Sequence, residues 1–319
     1  MPETLSIVVS IFGLIGLGYL SARTGLLPAS AGDGLSAFVF TLAIPLLLFD
    51  TLATADFHGV SPWRVWVAYF LPFAALWAVG HVMVRRLFAR DARAGIVAGA
   101  ASVYSNTVLL GIPIIQAAYG EEGMVFLIVI VAIHTPVMLL ASILLNEWAL
   151  AAGEGAARAG SRMDAMRRFG MLLLANPIFL GVAVGMLWRL AGFGIPFVLA
   201  AIIEPLARSA GPLALFASGM ALMKFGMARQ INPAIAISAL KLLVMPALVF
   251  LVAHAIGLPP LGIAVVTLTA ACPTGVNVFL IASRIGTGEA LASNVLLIST
   301  AAGVASVTLW LIAVKATFG

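Results

Sequence analysis

The sequence predicts an all-α integral membrane protein of ten transmembrane helices, arranged as two inverted five-helix repeats whose fourth and ninth helices are broken. Three observations carry that prediction. The 319 residues are 63% hydrophobic and 9% charged, with a mean hydropathy of +1.15, far from the composition of a soluble domain. Basic residues crowd into alternate connections between apolar stretches. Two of those stretches, about half a chain apart, are interrupted by polar, Gly- and Pro-containing passages.

Apolar length and charged or Gly/Pro-rich interruptions place spans near 4–21, 35–53, 63–85, 94–119, 123–146, 171–190, 196–223, 231–256, 260–284 and 288–314. Most match the ~20 residues that a helix rising about 1.5 Å per residue needs to cross hydrocarbon. The first has no basic run before it, so it reads as a retained span and not a cleaved signal. Little chain is left for an aqueous domain.

Orientation follows because Lys and Arg are held on the cytoplasmic side. One set of connections holds Arg23, Arg85, Arg86, Arg90, Arg93, Arg158, Arg162, Arg167, Arg168, Lys224, Arg229 and Arg284, twelve in all. The other set, with the termini, holds three: Arg64, Arg189 and Lys315. Both termini are therefore expected on the outer, periplasmic side of the cell membrane, which requires an even number of spans. The net charge of +5 is spread over span ends, so it reads as a topology signal in a bilayer and gives no nucleic-acid surface.

The longest connection, 148–170, reads as a cytoplasmic linker between a first repeat at 1–147 and a second at 171–319. Sliding the halves by about 167 residues sets Ile11-Phe12 on Ile178-Phe179, Pro45 to Phe49 on Pro212 to Phe216, and Asn106-Thr107 on Pro273-Thr274. Five spans per repeat is odd, so the second copy enters from the opposite side. The repeats are inverted.

The two interruptions are Tyr104 to Pro113 and Ala271 to Asn277. Gly111, Pro113, Pro273 and Gly275 break the helices there, freeing backbone groups that lipid cannot satisfy. Such breaks face protein or a watery cavity, and in matching halves they point to a midplane substrate site of a secondary transporter. Ser105, Asn106, Thr107, Thr274 and Asn277 supply uncharged donors and acceptors at the breaks. Each asparagine serves either to contact substrate or to cap its own freed backbone; occurring as a pair at corresponding breaks favours contact.

Lys241 lies about ten residues into the eighth span, roughly 15 Å deep. An ammonium there needs an anion, carbonyls or water, or it loses its proton, or its stem carries it back to the surface; an anionic substrate is one such partner. Glu204 and Arg208, four apart, are placed for an ion pair on one helix face. His134 reads as a packing residue or a proton carrier. Gly13-x-x-Gly16 and Gly181-x-x-x-Gly185 are expected to allow close helix approach. One cysteine, Cys272, excludes a multi-cysteine metal site. No metal site, P-loop or nucleophile motif occurs, so an enzyme is not expected.

Asn106 through Pro113 followed by Tyr119-Gly120, Pro212 to Gly219, Lys241-x-x-x-x-Pro246, Pro273-x-x-x-Asn277 and Ser299-Thr300 occur in an order that resembles the auxin efflux carrier family over the whole chain. That resemblance implies a fold related to bile acid sodium symporters, with the broken fourth and ninth helices crossing. Helices 1, 2, 6 and 7 would form a scaffold, with room for a homodimer through it. Helices 3–5 and 8–10 would carry substrate in an elevator movement. Substrate-binding positions would be Ser105, Asn106, Thr107, Pro113, Lys241, Pro273, Thr274 and Asn277. The implied cargo is a small organic anion, such as malonate, malate or an auxin-like acid. No cofactor is expected, and a coupling Na+ or H+ is left open. Two alternatives stand beside this reading: a sodium-coupled symporter of bile-acid-like or vitamin-like acids, and a receptor that binds without transporting.

Overall fold

The computed structural model describes residues 2–55, 57, 60–151, 162–227 and 231–318. Among these the regular structure is helical: α1 (Pro2–Arg23), α2 (Ala29–Phe38), α3 (Ile44–Thr54), α4 (Pro62–Leu87), α5 (Ala92–Val103), α6 (Ile112–Ala151), α7 (Arg162–Leu174), α8 (Pro177–Leu190), α9 (Phe197–Leu222), α10 (Asn232–Ala239), α11 (Met245–Ala255), α12 (Pro260–Ala271), α13 (Asn277–Ile285) and α14 (Glu289–Phe318). No β-strand occurs among the described residues, and the one isolated β-bridge there joins Ser105 to Thr274.

Three π-helical turns follow one rule. Val39–Ala43, Thr107–Gly111 and Leu240–Val244 are each followed, two residues on, by a proline: Pro45, Pro113 and Pro246. Proline has no N–H, and its ring clashes with the carbonyl four residues back. Widening the preceding turn moves that carbonyl aside, so the chain stays helical. At the third turn the released Leu242 carbonyl accepts from Ser306 Oγ at 2.8 Å and from Trp310 Nε1 at 3.1 Å. Backbone polarity in the apolar interior is thereby satisfied.

Among the described residues, seven helical runs are long and apolar enough to cross a membrane. Runs fall short or merge where the sequence is interrupted. The expected fourth and ninth spans are split, into α5 and the start of α6, and into α12 and α13. The end of the fourth and the whole fifth form the 44-residue run Thr107–Leu150, bent at Gly120, whose φ of 58° and ψ of −148° are not helical. The expected sixth span is likewise two pieces, α7 and α8, parted at Ala175 and Asn176, where Asn176 Oδ1 caps Ile178 and Phe179. The expected linker, 148–170, runs into α7 at Arg162; its Arg158, with Arg229 of another connection, lies outside the described residues.

Packing divides the helices into two groups. In one, α1 lies against α9 and α3 against α8. A Cβ on Gly219 would stand 2.0 Å from the Ile15 carbonyl, and one on Gly181 2.6 Å from the Pro45 carbonyl. These are backbone-to-backbone contacts that only the missing side chain permits. The expectation for Gly181 and Gly185 holds, whereas Gly13 and Gly16 face open space and Gly18 makes the close approach in α1. In the other group α4, α5, α6, α11, α12 and α14 enclose most of the largest buried side chains, among them Tyr69, Lys241, Ile114 and Leu127, while Ile44, Leu48 and Leu52 belong to α3.

Candidate functional site

The two breaks meet. Asn106 N donates to the Pro273 carbonyl at 2.8 Å and Gly275 N to the Tyr104 carbonyl at 2.9 Å, flanking the Ser105–Thr274 bridge. Each break thus satisfies the backbone groups the other has freed, as an apolar interior requires. Around the pairing, Thr274 N donates to Ser299 Oγ at 3.1 Å and Thr274 Oγ1 to the Ala101 carbonyl at 2.9 Å. Tyr69 Oη donates to Ser105 Oγ at 2.9 Å. Ser105 and Thr274 are fully buried, so their hydroxyls hold the pairing together.

Two helical segments restart from this point, at Thr107 and at Asn277. Their first amides carry the positive end of the helix dipole. Asn106 Oδ1 accepts from Leu109 N at 3.2 Å, so Asn106 caps its own break while lining a cavity. Asn277 behaves differently. Its Nδ2 donates to Tyr104 Oη at 2.6 Å, and Tyr104 Oη lies 3.2 Å from Thr135 Oγ1, a chain that fixes the amide across the break.

The cavity at these segments has a volume of about 390 Å³. Ser105, Asn106, Thr107, Gly275 and Asn277 line it together with Tyr104 and Arg284. Arg284 enters the sequence reading only as an orientation signal. Its spacing carried a further signal: seven residues, about two turns, after Asn277 on α13 puts both on one helix face. Tyr104, Thr135 and Asn176 at the cavity wall were not among the expected site residues, since only the folded chain brings the end of α5, the middle of α6 and the cap of α8 to one cavity.

The remaining expected site residues lie elsewhere. Pro113 lines a second cavity of about 700 Å³, together with Asp50, Gln116, Glu121, Glu122, Glu204 and Arg208. Arg208 donates to Glu204 there, as their spacing predicts. Pro273 is packed behind the pairing, where a Cβ on Gly303 would stand 2.5 Å from its Cγ. Gly111 belongs to the π turn, its amide bonded to the Asn106 carbonyl at 3.0 Å. Lys241 has no exposure, so its stem does not carry the ammonium to a surface. It donates to the carbonyl of Ala270 in the last turn of α12.

Residues 4–311 match the family model described as "Membrane transport protein". The chain belongs to this family, the auxin efflux carriers. Among its relatives in the family is a Rhizobium meliloti (strain 1021) protein named "Putative malonate transporter", 30% identical over 97% of this chain and 95% of that protein. An Arabidopsis thaliana protein named "Auxin efflux carrier component 8" is 26% identical over 88% of this chain and 89% of its own length. A Methanothermobacter thermautotrophicus protein named "Uncharacterized transporter" is 26% identical over 95% and 96%. With its apolar helical runs, this auxin efflux carrier family member is a multi-pass membrane transporter.

Proposed function

We propose that the protein moves small organic anions, mono- or dicarboxylates of the malonate class, across the cell membrane by alternating access to the cavity at the crossing. One observation carries this reading: two helix starts, Asn277 and the basic residue Arg284 line the same 390 Å³ space. Helix N-termini favour anions, and a guanidinium matches a carboxylate fork in charge and geometry. Asn106, Thr107, Asn277 and Arg284 contact the substrate in this scheme. Ser105, Pro273 and Thr274 hold the crossing, while Gly111 and Pro113 shape the half-helix behind it. The malonate name of the Rhizobium relative supports the class.

The two packing groups support an elevator movement. Both cavities lie on the seam between them: the smaller is walled by Phe40, Pro177 and Ile178 on one side and by the breaks on the other. The larger has Leu47, Asp50 and Glu204 facing Ile112 to Glu122. Sliding one group past the other would open the site alternately to each cavity. In this scheme the helices form ten spans in two inverted repeats, split at 148–170, with both termini outside.

Counterflow in proteoliposomes tests the proposal. Purified protein loaded with malonate is expected to accumulate external labelled malonate, and Asn277→Ala to lower the rate by about 10-fold or more, the loss of a hydrogen bond to a charged group. Folded protein that exchanges no mono- or dicarboxylate overturns the reading.

A further inference from the structure

A further cavity, about 580 Å³ in volume, adjoins the one at the crossing. Leu139, Leu172, Ala175, Ile281 and Arg284 line both, so one wall serves two chambers. The second chamber extends away from the breaks to Asn146 and Glu147 near the end of α6, with Met171 and Leu172 contributed by α7. Its volume suits a small organic molecule.

The two chambers differ in chemistry. At the crossing Ser105, Asn106, Thr107 and Asn277 supply polar groups, whereas the second chamber adds Ile143, Met171 and Ile285 to the shared apolar wall. Arg284 is the one basic residue of its lining. The chamber therefore offers a counter-charge to one carboxylate and none to a second, which disfavours a dianion there. Among the described residues no carboxylate is paired with Arg284.

Two polar atoms in this apolar surround have no partner. Ser142 Oγ and Asn146 Oδ1 are buried without a hydrogen bond, and Ser142 as a whole is 5% exposed. Four residues apart on α6, they share the helix face that lines the chamber. Buried polar atoms are almost always satisfied, so an unsatisfied pair on one cavity wall calls for a donor from outside the chain. A hydroxyl or N–H group meets that need, since the amide oxygen accepts and the serine hydroxyl does either.

We propose that the second chamber is a ligand site for an amphipathic organic acid, with its carboxylate on Arg284, its apolar body along Ile143, Met171 and Ile285, and a hydroxyl or N–H group at Ser142 and Asn146. Arg284 is the cation of both chambers, and its fork grips one carboxylate at a time. Such an acid therefore excludes the cargo from the crossing. The exclusion rests on the function proposed above; occupancy of the chamber does not.

Calorimetry and thermal unfolding of the purified protein with ω-hydroxydecanoate test the site, with decanoate and decanediol as probes that lack the hydroxyl and the carboxylate. At ~100 times its Kd, ω-hydroxydecanoate is expected to raise the melting temperature by roughly 3–8 °C. Decanoate should bind about 2–10-fold more weakly and decanediol about 10–100-fold more weakly. Ile143→Trp, which fills the chamber, should lose the acid and keep the malonate affinity of the wild type. Should Ile143→Trp fail to fold, the double variant Ser142→Ala, Asn146→Leu decides, because it should bind ω-hydroxydecanoate and decanoate alike. Binding of decanediol as tight as that of the acid, or an acid affinity unchanged in the folded variants, overturns the site. Saturating ω-hydroxydecanoate that leaves malonate affinity unaltered overturns the exclusion. Absence of any malonate binding would sink the proposed cargo and leave the acid's own binding curves as they are.

Discussion

Two cavities lie at opposite ends of one short stretch, 107–116, and they differ in charge. Thr107, Val108 and Leu109 face the smaller, whose charged lining residue is Arg284. Ile112, Pro113 and Gln116 face the larger, where four carboxylates, Asp50, Glu121, Glu122 and Glu204, accompany one guanidinium. A helix start and a guanidinium make the first attractive to anions; the second repels them on balance. The π turn thus lies between a cavity whose charges favour anions and one whose charges do not.

The largest effect is expected where the divide itself is anchored. A side chain at Gly303 has nowhere to go but into Pro273, whose carbonyl holds Asn106 N. Gly303→Val should destabilise the protein by about 1–3 kcal/mol through overpacking. Malonate counterflow should fall to background from either side. Equal amounts of folded protein in the membrane, with counterflow intact, would mean that the pairing does not position the cavities.

The charge contrast is tested next by Arg284→Gln. Removing one charge-assisted contact to a carboxylate costs about 1.5–3 kcal/mol, or roughly 10–100-fold in apparent affinity. Arg284→Lys should recover part of it, because the charge remains but the two-pronged geometry does not. Binding of malonate measured by calorimetry is the readout, and an unchanged affinity in Arg284→Gln removes Arg284 from the site.

Much of this arrangement was legible from residues alone, and what was not has a physical reason. Gly and Pro inside apolar segments announced both interruptions, because backbone polarity in lipid leaves few alternatives, but the first unwinds at Tyr104 to Asn106, and Gly111 and Pro113, expected to break it, lie in the helix that restarts after it. That Asn106 would cap its own break while Asn277 reaches across to Tyr104 was not legible, since both are asparagines at corresponding breaks and only the route of the other break separates them. Lys241 is fully buried, and its partner, a backbone carbonyl, has no side-chain signature. Arg284 was read as a topology marker because span-end arginines usually are. Gly18 and Gly219 were passed over for Gly13 and Gly16, as spacing within one helix does not say which face meets its neighbour.

The smallest effect belongs to the acidic cavity. Arg208 and Glu204 form an ion pair with both side chains more than half exposed, at 78% and 53%, so breaking it should cost no more than ~1 kcal/mol of stability. Its value here is electrostatic. Glu204→Gln leaves Arg208 unneutralised and removes one of four repelling carboxylates. Anion affinity on that side alone should rise by roughly 2–5-fold at low salt and return to the wild-type value near 1 M salt, where the Debye length is about 3 Å. Counterflow from each face of oriented proteoliposomes reads the difference. A rise on both faces, or one that survives high salt, would mean that the two cavities are not electrostatically separate and that the divide at the π turn does not exist for the ion.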